Sequence, residues 1–267
     1  MRWEHLFARR QLLREVTKLD ERLALLVAGL RRKLKLGPPD SAVETHPRSL
    51  NGASLWVRPG TTDVGTIVHD LVRGEHLPPL EVDGIRMAVE LGSNIGTGLV
   101  GLATRYPEAT VIGVEPDPES FALAQRNTAQ FGERCIVIET AIWDREADLC
   151  LQGNLPSGLI AVEADRHDNS PGRTVRARTV DELLDEVAPG EAVDYMILNL
   201  EGAERRVLEA GGSWISRVRM IRTELHPEKG FDGGRCLALL QDHGFEAWLE
   251  PEWWGGWGFG VRRGGKA

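Results

Sequence analysis

Residues Val89–Gly101, VELGSNIGTGLVG, carry two overlapping glycine patterns. Gly96, Gly98 and Gly101 spell the GxGxxG of a dinucleotide-binding turn, in which a pyrophosphate rests on a helix N-terminus. Glu90, Gly92, Asn94 and Gly96 spell a different loop, one suited to S-adenosylmethionine. The strand before the loop ends near Leu91, so Gly92 is the first loop residue and Gly96 falls a turn too late for the dinucleotide. Glu90 points the same way. A carboxylate beside the loop repels a pyrophosphate, whereas the ammonium and sulfonium of S-adenosylmethionine welcome one. Gly92 and Gly96 let backbone approach a cofactor closely. Glu115, at the end of the next strand, can accept hydrogen bonds from two ribose hydroxyls and serves either cofactor.

These residues need a sheet to position them. From Arg86 onward, strand-like runs alternate with segments of helical spacing. The strands are RMAVEL (86–91), TVIGVE (110–115), CIVIETAIW (135–143), VDYMILNL (193–200) and VRMIRTELH (218–226). The helices between and after them are TGLVGLATRY (97–106), PDPESFALAQRNTAQFG (116–132), VDELLDEVA (180–188), GAERRVLEAGG (202–212) and GGRCLALLQDHG (233–244). Residues 145–180 read as irregular or hairpin-like, with VRARTV (175–180) as a strand. FEAWLEPEW (245–253) and WGFGVRR (257–263) close the chain as a hairpin that adds one antiparallel strand. The expectation is an α/β fold: a doubly wound, mostly parallel, Rossmann-like sheet with a C-terminal antiparallel strand and an N-terminal helical extension. Ligands then bind beyond the carboxyl ends of the strands.

Three units are expected: residues 1–40, 41–80 and 81–267. In the first, Leu12, Val16, Leu19, Leu23, Leu26 and Leu30 follow a heptad seam, and the proline-rich GPPD at 37–40 stops the helix. Packing on its own domain, a homodimeric coil and a membrane-surface helix near Arg31, Arg32 and Lys33 are all open to it. The second unit, SLWVRPGTTDVGTIVHDLV (54–72), reads as strand, turn and helix, with Thr62 or Asp63 as cap. A net charge of −8 argues against nucleic acid as the main partner. Cys135, Cys150 and Cys236 form no CxxC pair, which fits a reducing cytoplasm and neither zinc nor disulfides. No apolar stretch is long enough for a transmembrane segment.

VELGSNIG followed by VIGVEPDPESFALAQRN resembles the class I S-adenosylmethionine-dependent methyltransferases. ETAIWD (139–144), TVDELL (179–184), LNLEGAERRVLEAG (198–211) and TELHP (223–227), with VRPGTTD (57–63) ahead of them, narrow the resemblance to the FkbM family over roughly residues 55–245. That resemblance implies O-methylation of a hydroxyl on a natural product or a sugar. It also implies that Pro116, Thr140 and Ala141 lie by the cofactor's adenosine. One position departs from the family. Where it usually has Asp, two residues before the Glu of EGAE, this chain has Asn199, which offers the methionine moiety a hydrogen bond without charge.

Methyl transfer is an in-line displacement that needs alignment, and a hydroxyl must lose its proton. Glu201 stands at the fourth strand's end, and Glu224 and His226 at the fifth's. His226 is the preferred base because its unperturbed pKa is near neutral. Glu201 and Glu204 read equally well as an acid pair opening a helix. Asp63, Trp254 and Trp257 are the expected substrate contacts, the indoles because aromatic faces suit sugars or flat polyketides. A divalent metal is compatible with Glu201, Glu224 and His226, but no spacing demands one. An NAD(P)-dependent oxidoreductase, or a degenerate methyltransferase fold acting as a binding module, are the competing readings.

Overall fold

The computed structural model describes residues 12, 14–36, 42–152, 160–163, 173–250 and 256–262. The chain begins with α1 (Leu19–Lys33), the antiparallel pair β1 (Val43–Thr45) and β2 (Leu55–Val57), and α2 (Asp63–Thr66), which runs on into a π-helical turn over Ile67–Val72. Strand and helix then alternate: β3 (Met87–Leu91), α3 (Thr97–Arg105), β4 (Thr110–Val114), α4 (Pro118–Thr128) and β5 (Cys135–Ile138). Four short strands follow: β6 (Ala141–Ile142), β7 (Ala147–Gln152), β8 (Ile160–Glu163) and β9 (Arg173–Arg178). The last part is α5 (Val180–Val187), β10 (Val193–Leu198), α6 (Glu204–Ala210), α7 (Trp214–Arg217), β11 (Val218–Glu224), α8 (Gly233–Asp242), β12 (Glu246–Glu250) and β13 (Trp257–Val261).

The central sheet has the order β12-β13-β11-β10-β3-β4-β5. Its last five strands are mutually parallel, and β13 runs antiparallel to both its neighbours. Parallel strands are covered on both faces, which is why MAVEL is apolar at nearly every position and buried after its first residue. On one face Val89, Met196 and Ile221 pack against Leu183, Leu208 and Leu240 of α5, α6 and α8. On the other, Ala88, Val111 and Tyr195 pack against Leu99 and Leu102 of α3. The expected doubly wound sheet is the one observed.

Three local expectations are corrected. CIVIETAIW is two strands, because the chain leaves the central sheet after Ile138 and Ala141–Ile142 pairs with β9. Of the two readings of residues 145–180 the irregular one fails and the hairpin-like one holds where described: β7 pairs antiparallel with β8 and with β9, which overlaps VRARTV, and β6-β9-β7-β8 form a second sheet. Neither Thr62 nor Asp63 caps α2 with its side chain; the amide of Asp63 donates to Thr61 Oγ1 at 3.1 Å.

Only the start of the heptad seam packs on the domain, where Val16 is fully buried and Leu12 lies against the same apolar cluster. Leu19, Leu23, Leu26 and Leu30 are exposed, while α1 rests on the domain through buried Glu21 and Leu25 and through Gly29 against Pro59–Gly60. Segment 41–80 shares one apolar cluster with the sheet domain, in which Leu55, Val57 and Ile67 meet Ile95, Val100 and Leu123. No helix among the described residues is long and apolar enough to cross a membrane.

Candidate active site

The loop after β3 is held by its neighbours. The amides of Gly92 and Ser93 both donate to Val114 O at 2.9 Å. Gly92 has φ +90°, and a Cβ there would stand 1.8 Å from the carbonyl oxygen of Asn199. A Cβ on Gly96, φ +78°, would press on Ala124 of α4 at 3.2 Å. Both glycines are thus required by the protein's own close packing around the loop. The later glycines have their own reason. Gly98 and Gly101 lie inside α3, where Cβ atoms would meet Glu90 Oε1 at 2.5 Å and His76 Nε2 at 2.1 Å. GxGxxG here marks buried polar side chains seated on a helix, and no pyrophosphate turn.

Three acceptors gather around this loop. Glu115 is buried and accepts from the amides of Asn94 (2.8 Å) and Asp117 (2.9 Å). Asn94 reaches that bond from the left-handed region, with φ +47°. Burial raises the Glu115 carboxyl to about 7 against the pull of those two amides. Glu90 is buried as well, and its pKa is pushed well above the carboxylate range by burial, then by Asp70 and Glu115. Glu90 Oε2 and Asn199 Oδ1 are buried and make no hydrogen bond. Orphaned buried acceptors are rare, and a ligand carrying an ammonium and a ribose would supply their missing donors. The residues fit S-adenosylmethionine.

Pro116 and Thr140 line a cleft of about 380 Å³ with Glu139, Arg173, Thr174, Val175, Arg176 and Arg178, where an adenine beyond the ribose acid would lie. Ala141 turns away from it, packed with Trp143, Leu149 and Ala177. A larger cleft of about 750 Å³ lies at the opposite end of α3, between residues 73–82 and Trp248–Glu250, away from every motif loop.

Losing the charge-assisted bonds of Glu115 should weaken donor binding by about 1.5–3 kcal/mol, or roughly ten- to hundredfold. Calorimetry on Glu115→Ala measures it. An acid near 7 must ionise before both its oxygens can accept from the two ribose hydroxyls, so wild-type affinity should fall as pH drops through 7. Glu115→Gln should lose that dependence, and an identical pH profile in both proteins removes Glu115 from the ribose.

At the carboxyl ends of β10 and β11 a second group converges. Glu204, fully buried, accepts from the amides of Leu200 (2.6 Å) and Gly202 (2.8 Å) and so ties up the 199–204 loop. Glu204 Oε1 and Glu224 Oε2 lie 3.4 and 3.2 Å from His226 Nε2. Burial alone would lower the imidazole's pKa; the two carboxylates outweigh it and raise it to about 10. His226 therefore holds its proton at neutral pH, contrary to the near-neutral base expected from sequence. Glu201 is an exposed residue in left-handed backbone, φ +52°. Desolvation and then Glu224 raise its pKa above the usual carboxylate value. Glu204, which sequence reading took for a helix-opening acid, is the member that was missed. The short return from Glu201 to Glu204 around Gly202 was the available signal.

Two expected substrate contacts are placed elsewhere. Asp63 is fully buried and accepts from the amide (2.9 Å), Nε (2.7 Å) and Nη2 (3.1 Å) of Arg58. Trp257 is buried in β13, with the Arg222 guanidinium 4.8 Å from its ring centroid. Trp254 lies outside the described residues.

A mostly parallel seven-stranded sheet with one inserted antiparallel strand, a glycine loop after its central strand and an acid ending the next strand define the class I S-adenosylmethionine-dependent methyltransferases. Residues 90–247, well over half of the chain, match the family described as the Methyltransferase FkbM domain, and the chain belongs to that family. It is similar to Methyltransferase 1 of Beauveria bassiana, 26% identical over 187 residues that cover 62% of this chain and 74% of that protein. It is also similar to Ribosomal RNA small subunit methyltransferase H of Nocardioides sp., 36% identical over 87 residues, 33% of this chain and 25% of that protein. The chain thus spans a quarter of that relative's length. Among solved structures, magnesium protoporphyrin IX methyltransferase from Synechocystis PCC 6803 with bound SAM aligns at 14% identity and a TM-score of 0.40, covering 74% of this chain and 77% of that one.

Proposed function

We propose that this methyltransferase acts on a hydroxyl oxygen of a small molecule, a sugar or a secondary metabolite. The observation that supports this best is the group of Glu201, Glu204, Glu224 and His226 beside the orphaned Asn199. A neutral hydroxyl is a poor nucleophile until its proton is taken, so an oxygen acceptor calls for carboxylates at that place. Bound S-adenosylmethionine supplies the methyl group as an electrophile. Glu90, Asn94, Glu115 and Asn199 would hold it, with Pro116 and Thr140 by the adenine. Glu201, exposed and set in strained backbone, receives the acceptor's proton. Glu224 and His226 orient the hydroxyl, and buried Glu204 fixes the loop that carries Glu201. The net charge of −8 favours a small acceptor over RNA. Three free cysteines suit the cytoplasm.

Labelled donor offered with small-molecule extracts should give a product methylated on oxygen. Glu201→Gln should slow that transfer roughly a hundredfold, as for a lost general base, while donor affinity holds. Label recovered in RNA or protein overturns the acceptor class. Full activity of the variant on an unactivated alcohol overturns the role of Glu201.

A further inference from the structure

His226 Nε2 lies 3.4 Å from Glu204 Oε1 and 3.2 Å from Glu224 Oε2, yet makes a hydrogen bond with neither. An imidazolium paired with acids aims its N–H along one of them. This ring does not, although the residue is only 9% exposed. Its other nitrogen, Nδ1, is hydrogen-bonded to Glu228 Oε1 at 3.2 Å. A carboxylate on Nδ1 orients the ring as in metal-binding histidines, and an ion that takes Nε2 displaces the proton the ion-free imidazolium carries there. With that proton displaced, three electron-pair donors meet around one point.

The spacing fits an ion. Bonds of about 2.0–2.2 Å put neighbouring ligand atoms about 3.0–3.5 Å apart in a tetrahedral or octahedral sphere. Both N···O distances fall in that range, and the three ligand atoms lie within 4.8 Å of one another. The cradle is rigid on one side, because Glu204 is held by two amides of its own loop.

We propose that Glu204, Glu224 and His226 bind a divalent first-row transition-metal ion such as Mn²⁺ or Zn²⁺. An imidazole among the ligands selects such an ion over Mg²⁺ or Ca²⁺, which take oxygen. Sequence reading offered Glu201 as the third ligand; the fold brings Glu204 instead. Three protein ligands leave positions for an acceptor oxygen, and only that use of the ion rests on the proposed transfer to oxygen.

The full chain, stripped with chelator, is titrated calorimetrically with MnCl₂ and separately with ZnCl₂, without donor or acceptor. One ion per chain should bind in the micromolar range, with no competition from equimolar Mg²⁺. Glu224→Gln changes a side chain that is 27% exposed and should keep the fold, which its melting curve checks. It should weaken binding at least tenfold, His226→Ala should do the same or more, and Glu228→Gln about tenfold through the ring's orientation. No binding to the wild type, or wild-type affinity in a folded Glu224→Gln protein, overturns the site. Metal binding without any methylated hydroxyl would sink the proposed function and leave this site standing; the reverse result would do the opposite.

Discussion

Gly92→Ala should unfold the protein about 10 °C earlier than the wild type and abolish donor binding. Two effects add. The residue has φ +90°, which disfavours any L side chain by about 1–2 kcal/mol, and its new Cβ would stand 1.8 Å from the carbonyl oxygen of Asn199. That oxygen cannot simply retreat, since the Asn199 amide donates to Leu91 O at 2.9 Å across the β3–β10 seam. Overpacking of this kind adds about 1–3 kcal/mol, and a chain of this size loses about 2–4 °C per kcal/mol. Gly52→Ala is the control. It too has positive φ, at +95°, but nothing lies within 4 Å of its Cβ. Should both variants melt together, backbone strain alone explains Gly92 and the two loops are not locked.

Asp63→Ala should destabilise by about 3–5 kcal/mol, the usual consequence of leaving a buried charge without its partner. Arg58 is 6% exposed and would keep Ser120 Oγ at 3.0 Å, the nearby charge of Asp117 and Glu119 at 3.8 Å, but no carboxylate hydrogen-bonded to it. Removing both charges with Arg58→Met and Asp63→Leu should recover most of the loss. Thermal melts of the singles and the double decide it. An Asp63→Ala protein that melts like the wild type and instead raises the KM of the acceptor would return Asp63 to the substrate site, where sequence reading had put it.

That difference marks where the sequence stops speaking. The strand–helix alternation from Met87, the loop opening at Gly92 and the acid ending β4 are local patterns, and each was legible. So were the positions of Glu224 and His226 at the end of β11, because strand ends are readable. What side chains do across the fold was not. Asp63 opens the short α2, and its burial against the Arg58 guanidinium turns it inward. The basicity of His226 is set jointly by its strand neighbour Glu224 and by Glu204, which lies 22 positions earlier in the sequence and reaches the ring because β10 and β11 are adjacent. β7 and β9, ADLCLQ and RTVRAR, mix charge with short apolar stretches, and they become strands through pairing with each other.

The place of β13 governs the order in which the sheet can be completed. It lies between β12 and β11 yet is made after both. Until residues 257–261 emerge during synthesis, β11 has an open edge and β12 has no strand to join, so the sheet's rim waits for the last strand described. Trp257 and Phe259, buried against β11, then arrive together and close the core from its margin. An unpaired edge of this kind is the surface on which chains aggregate, and a nascent chain paused before Trp257 would expose it longest.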